Sequence, residues 1–282
     1  MKKILGKRSL TRRLGGALAG SLGLLVIVGI QPQEATAGID TTKHNLGSTG
    51  TGANRFNGTG DLCVFCHTPH GADTTASVPL WNRRLSNPAT YTTYSSLGTT
   101  SLDGAVAPVG SVSIACLSCH DGTQAMNVMI NAPGSGNYSS TGFTLAGTWT
   151  GPAATATPAG SLGYASIVNI GTDLRNDHPV GIQYGGGGQT ATTPAGAFHD
   201  PDFKPTSYST LNGNTVWWVD TGGAGRQKTD IMLYTRNEAS VAGGSQPFVE
   251  CASCHDPHTD VQPTFLRVTN VGSALCLSCH TK

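Results

Sequence analysis

Apolar residues fall into one long early run and a few short bursts, and this distribution predicts the elements. The run from Leu14 to Ile30 spans about 17 residues, is broken by glycines and follows a basic start. Ala35-Thr36-Ala37 then supplies the small residues of a cleavage site, so residues 1–37 read as an export signal removed after Ala37. Farther along, Thr215-Val216-Trp217-Trp218-Val219 and Asp230-Ile231-Met232-Leu233-Tyr234 flank a polar turn with Gly222-Gly223 and Gly225, the pattern of a β-hairpin. The segments 131–160 and 185–197 are rich in Gly, Ala, Thr and Pro and keep neither a period of 3.6 nor of 2, which predicts loops or extended surface segments.

Composition agrees with a loop-rich fold. Charged residues make up 12 %, aromatics 6 %, and the 38 glycines and 15 prolines argue against long helices and coiled coils. The formal charge of +1 hides a division: six of the seventeen cations and one of the sixteen acids lie in the first 37 residues, leaving eleven cations against fifteen acids. A nucleic-acid binder would carry a basic stripe, and residues 38–282 have none. No second apolar run approaches the roughly 20 residues of a spanning helix. The processed chain is therefore expected outside the cytoplasm without a membrane span, delivered by the general secretory route to the periplasm, the cell surface or beyond.

Cysteine usage carries the chemistry. All eight cysteines lie in four copies of Cys-x-x-Cys-His: Cys63/Cys66/His67, Cys116/Cys119/His120, Cys251/Cys254/His255 and Cys276/Cys279/His280. The copies form two doublets, at 63–120 and 251–280. Each opens with C-x-x-C-H-x-P-H (through His70 and His258) and closes with Cys-Leu-Ser-Cys-His. Two thiols spaced in this way add to the two vinyl groups of a haem, and the adjoining His becomes the proximal iron ligand. A four-cysteine zinc site or a disulfide framework uses similar spacing, but neither explains a His after the second cysteine in every copy. Four covalently bound haem c groups are expected, with His67, His120, His255 and His280 as proximal ligands.

The sixth coordination position decides between electron transfer and catalysis. Removing the four proximal residues from nine histidines leaves His44, His70, His178, His199 and His258, one more than four irons need, so every iron can be closed by two histidines. His70 and His258 follow a proximal His by three residues with a Pro between, which keeps each from its own haem and directs it to another. His199, between Phe198 and the acidic Asp200 and Asp202, is the spare.

These motifs resemble those of secreted bacterial multihaem c-type cytochromes with doubled C-x-x-C-H, in particular tetrahaem cytochromes that polymerise into conductive extracellular filaments. The likeness rests on Thr42–Leu46, Cys63–Gly71, Pro79–Arg83, Cys116–Thr123, Asp177–Val180, Cys251–His258 and Phe265–His280. It implies that His44, His70, His178 and His258 are the distal ligands. It also implies an electron conduit rather than an enzyme, whose partners are copies of itself head to tail, redox partner cytochromes and an extracellular acceptor. A periplasmic monomeric carrier is the alternative, and a multihaem reductase with one open haem stands behind it. The 18 residues between His44 and Cys63, extended, could span about 60 Å, enough to fold back to the chain's own haem or to reach the next subunit. The expected fold class is a mostly irregular, loop-rich multihaem cytochrome c: one haem-cored unit over 38–282, with short helices after each motif, one hairpin and a Gly/Thr-rich middle segment.

Overall fold

Short antiparallel strands and three short helices, separated by long turns, organise the chain. The computed structural model describes residues 38–134, 136–177 and 180–282, so the expected export signal 1–37 and His178 lie outside the described residues. In chain order the elements are β1 (Arg55–Phe56), α1 (Ser111–His120), β2 (Val128–Asn131), β3 (Tyr138–Thr144), β4 (Trp149–Thr150), β5 (Ile182–Gln183), β6 (Ser207–Leu211), β7 (Asn214–Val219), β8 (Ile231–Arg236), β9 (Gln246–Val249), α2 (Cys251–Cys254) and α3 (Ala274–Cys279).

The expected hairpin is β7–β8, with Trp217 opposite Leu233 and Val219 opposite Ile231. Alternation places Trp217, Val219, Ile231 and Leu233 together in one buried cluster with Tyr184. The turn is closed from inside by the buried Asp230 carboxylate, which accepts from the Thr221 N–H at 3.0 Å and the Gln227 N–H at 2.5 Å. The hairpin is the middle of a larger object, an antiparallel sheet ordered β5-β9-β8-β7-β6. This extends the sequence reading, which saw two strands. The outer strands have weak patterns of their own, β6 being mostly exposed and β5 only two residues long, so their pairing comes from the neighbour.

The segment 131–160 includes an extended, largely exposed strand, β3, which pairs with β2, Met129 opposite Phe143. One expectation is corrected. Short helices do not follow the C-x-x-C-H motifs; they end in them. α1 closes on His120, and α2 and α3 stop at Cys254 and Cys279 with His255 and His280 already extended. The first motif is a turn without a helix. At His67, His255 and His280 the backbone leaves the helical path to pair with another segment, described below, whereas His120 stays within α1.

The apolar interior is divided. Phe56, Val64, Phe65 and Met129 form one cluster bordered by Cys66. Met126, Ala153 and Leu162 form a second bordered by Cys119, and Tyr91, Val109, Ile114, Leu117 and Leu174 pack around α1. The sheet cluster is bordered by Cys279. A domain of this size ordinarily has one contiguous core; here small apolar groups gather at the motifs.

Arg83 joins two of these regions. It is fully buried and spends all five guanidinium donors on protein oxygens: Ser118 Oγ (3.2 Å), Ser118 O (2.8 Å), Ala125 O (3.1 Å), Met126 O (2.8 Å) and Val128 O (2.9 Å). It thereby clamps the carbonyl end of α1, the negative end of its dipole, to the segment leading into β2. Replacing Arg83 with Met is expected to leave several buried carbonyls unpaired and to cost about 3 kcal/mol or more in denaturant unfolding of the purified protein. Arg83→Lys, which keeps the charge without the fork, is expected to recover only part of that loss.

Candidate functional site

Each Cys-x-x-Cys-His folds as one helical turn. The histidine N–H donates to the carbonyl of the first cysteine: His67 to Cys63 at 2.7 Å, His255 to Cys251 at 3.1 Å and His280 to Cys276 at 3.0 Å, while His120 closes α1. This turn sets both sulfurs and the imidazole near one another, as double thioether attachment beneath an iron requires.

A second segment then runs antiparallel past the histidine. Trp81 bridges His67 and Leu266 bridges His255. The Asn82 N–H donates to Cys66 O and the Arg267 N–H to Cys254 O, both at 2.8 Å. The Thr68 N–H donates to Leu80 O and the Asp256 N–H to Phe265 O. Leu80 and Phe265 both adopt positive φ, 56° and 62°, a costly conformation for such side chains that recurs at equivalent places. The two doublets therefore repeat in space as well as in sequence. Around the fourth motif Phe203 bridges His280 and the Lys204 N–H donates to Cys279 O.

The passing segment orients the ring. His67 Nδ1–H donates to Pro79 O (2.7 Å), His120 Nδ1–H to Val168 O (2.8 Å) and His255 Nδ1–H to Thr264 O (2.8 Å). With Nδ1 carrying the proton, Nε2 is left as the lone-pair donor. These carbonyl holders are functional groups that sequence reading missed, since a backbone oxygen has no residue signature.

The structure brings two of the expected distal histidines opposite proximal ones. His258 faces His67 with ring centroids 6.2 Å apart and planes at 14°. His44 faces His120 at 6.1 Å and 68°. An iron held by two imidazole nitrogens at about 2 Å each sets the ring centroids roughly 6 Å apart, so the spacing fits a metal between them. His44 thus folds back onto its own chain. It stacks on Phe265 at 4.3 Å and its Nδ1–H donates to Pro257 O at 3.2 Å. Burial, then the adjacent His120, holds the His44 pKa down to about 4, so the ring is neutral at pH 7 and able to ligate. The His120 pKa is lowered as well, by burial.

The remaining histidines are placed differently. His280 has the Phe203 ring at 4.3 Å and no imidazole opposite it among the described residues. His70 is exposed; its carbonyl accepts from Thr68 Oγ at 2.9 Å and Asn131 Nδ2 at 2.7 Å, and its N–H donates to Thr68 Oγ at 3.5 Å. His199 is exposed, and its backbone N–H donates to Gly187 O at 3.2 Å. His178 lies outside the described residues.

Between motifs the cysteines make a row. Cys66 lies near Cys119, Cys116 beside Cys251, and Cys254 near Cys276 and Cys279. Burial pushes three of the thiols up, Cys66 and Cys279 to about 12 and Cys254 to about 11, so in the folded chain these three are protonated and poorly nucleophilic at neutral pH. Thioether formation is correspondingly easier before the chain folds. Among the described residues no three His, Cys, Asp or Glu side chains converge as a protein-only metal site, which sets the arrangement apart from the four-cysteine zinc pattern.

The second and third motifs meet through a buried polar junction. Ser113 Oγ–H donates to Glu250 Oε2 at 2.5 Å and accepts from the Cys251 N–H at 2.9 Å. Arg236 Nη1 donates to Glu250 Oε1 at 2.9 Å, and Glu250 also caps α2 in a capping box with Ser253. Glu250 and Ser113 are fully buried, so this network fixes the spacing of the two motifs.

Comparison with known families agrees with the motif chemistry. Residues 241–282 match the family described as the doubled CXXCH motif. The match points to a haem-binding, multihaem c-type cytochrome segment, with haem c bound covalently and electron transfer as its activity. Among curated proteins none matches the chain.

Glu250→Ala is expected to leave Arg236 with Glu238 as its remaining carboxylate partner and the buried Ser113 hydroxyl without its acceptor, and to cost about 1–3 kcal/mol in unfolding. Ser113→Ala, which removes one hydroxyl, is expected to cost about 1–3 kcal/mol. Both are read from denaturant midpoints.

Proposed function

We propose that this chain is a tetrahaem electron conduit working outside the cytoplasm, assembled from head-to-tail copies into a filament. The observation that carries the reading is the pair of opposed imidazoles, His67/His258 and His120/His44, at the spacing of two axial ligands. Four haem c groups, attached at Cys63/Cys66, Cys116/Cys119, Cys251/Cys254 and Cys276/Cys279, supply reversible one-electron exchange. The protein's part is to hold the His67, His120 and His255 rings by their Nδ1–H, exclude water and set the sites near one another. Apolar clusters separated at the motifs support a haem-cored interior, with the porphyrin faces filling what the side chains leave.

The filament reading grows from the repeat. His258 stands after Asp256-Pro257 and faces a proximal His of another motif; His70 stands at the same place after Thr68-Pro69, exposed. His70 of one copy closing the His280 iron of the next is a heterologous contact, and repeated without ring closure it generates an open filament. His178 is assigned to the His255 iron. His199 is the spare.

The second reading, a reductase, is favoured by one observation only: His280 has no cis imidazole among the described residues, as an open iron would require. The periplasmic monomer would likewise leave that iron open or close it with His199.

Intact mass of the secreted protein is expected to show four haem additions, with all irons low-spin in the ferric state. His44→Ala and His258→Ala are each expected to open one iron to carbon monoxide, and His199→Ala none. A His199→Ala variant that binds carbon monoxide overturns the ligand assignment.

By electron microscopy the native protein is expected as filaments, and His70→Ala as dispersed subunits, each with one carbon monoxide-binding iron. Native protein that stays dispersed and binds carbon monoxide supports the reductase; dispersed protein with every iron closed supports the monomeric carrier.

A further inference from the structure

The ring nitrogens turned away from the irons do not all meet the same kind of acceptor. His67, His120 and His255 donate Nδ1–H to the carbonyls of Pro79, Val168 and Thr264, and His44 donates to Pro257 O. All four acceptors are neutral. His258 differs: its Nδ1 lies 3.3 Å from a carboxylate oxygen, Asp256 Oδ1, which also accepts the His258 backbone N–H at 3.1 Å. We propose that Asp256 is a positioning residue that lowers the potential of the haem held between His67 and His258 below that of the other three.

The physics is direct. A carboxylate that accepts the distal Nδ1–H draws the proton toward itself, makes the imidazole a stronger electron donor and places negative charge beside the iron; both favour the ferric state. The Arg267 guanidinium ion-pairs with the other carboxylate oxygen and weakens this field, but it leaves the Asp256 Oδ1–His258 hydrogen bond in place. Its Nη1 is 3.8 Å from Asp256 Oδ2, while its guanidinium donates to Ala252 O and Lys228 O, each at 3.0 Å.

The internal repeat separates this electronic role from folding. At the equivalent position of the first doublet stands Thr68, whose N–H makes the same backbone bond and whose hydroxyl donates to His70 O at 2.9 Å. The turn thus forms without an acid, and the carboxylate at 256 is surplus to its geometry. The tripeptide Asp256-Pro257-His258 also serves three centres at once: it follows the proximal His255, its Pro257 carbonyl holds His44, and His258 faces His67. A low-potential site at the His67 end of the cysteine row holds an electron least strongly and passes it toward the second motif.

This inference rests on the haem reading above, and the experiment keeps the two apart. Full-length, haem-loaded protein is titrated spectroelectrochemically as wild type, Asp256→Asn and Asp256→Thr, with intact mass and the low-spin ferric signal confirming four closed haems in each. Asn keeps the turn's acceptor and Thr is the repeat's own residue. In both variants the lowest of the four one-electron steps is expected to rise by about tenfold in its reduction equilibrium, about 59 mV, with the other three unmoved. In His258→Ala, carbon monoxide is expected to shift that same step. Potentials unchanged in the variants, or all four rising together, overturn the inference while leaving the haem reading intact. A protein lacking haem overturns both.

Discussion

Everything functional in this molecule depends on holding an imidazole still from behind. The turn of Cys-x-x-Cys-His delivers the histidine to the right side of two sulfurs, but a ring on one rotatable bond would still swing. A backbone carbonyl arriving from a distant segment takes the Nδ1 proton and leaves Nε2 as the sole lone-pair donor. At His67 and His255 the carbonyl comes from residues 12 and 9 positions on, and at His120 from 48 positions on. At His255 and His280 the helix stops before the histidine, whose backbone pairs with Leu266 and Phe203. Continuing it would keep the histidine N-terminal to another turn of helix and deny it the antiparallel neighbour.

That requirement explains where the fold spends strain and polarity. Leu80 and Phe265 accept positive φ so that the residues before them, Pro79 and Thr264, can present their carbonyls. Arg83 and the Ser113–Glu250–Arg236 network bury charge beside motif-bearing helices, where a loose joint would change the distance between neighbouring sites. Buried ionic groups are weak contributors to net stability, but they penalise any geometry in which they are unpaired. That penalty is what a row of redox centres needs from its scaffold, because spacing between centres matters more to it than a deep minimum.

The doubled motif reads as a duplicated device put to two uses. The backbone pairing around Thr68 and around Asp256 is the same and both terminal histidines are exposed, yet among the described residues only His258 stands opposite a proximal ring, that of the first doublet. What differs between copies is the environment that the sheet and the polar junction build around them. The turn itself has not changed.

Local chemistry was legible in the residues alone. Covalent attachment and proximal ligation depend on spacing within five residues, the hairpin on alternation over two adjacent strands, and both are short-range rules that the chain states outright. The surplus of histidines over Cys-x-x-Cys-His motifs was a matter of counting. Which histidine faces which was not, because the contacts join residues 76 positions apart for His44 and His120 and 191 apart for His67 and His258, and nothing in either local pattern names its partner. The tether after His44 could as well have led outward; only packing on Phe265 and the Pro257 carbonyl turned it inward. The helices were misplaced for a related reason, since their ends are set by strands that pair with them from elsewhere. Nor do backbone carbonyls differ from one another in a sequence, so the groups that orient the proximal rings became visible only when the chain was folded around them.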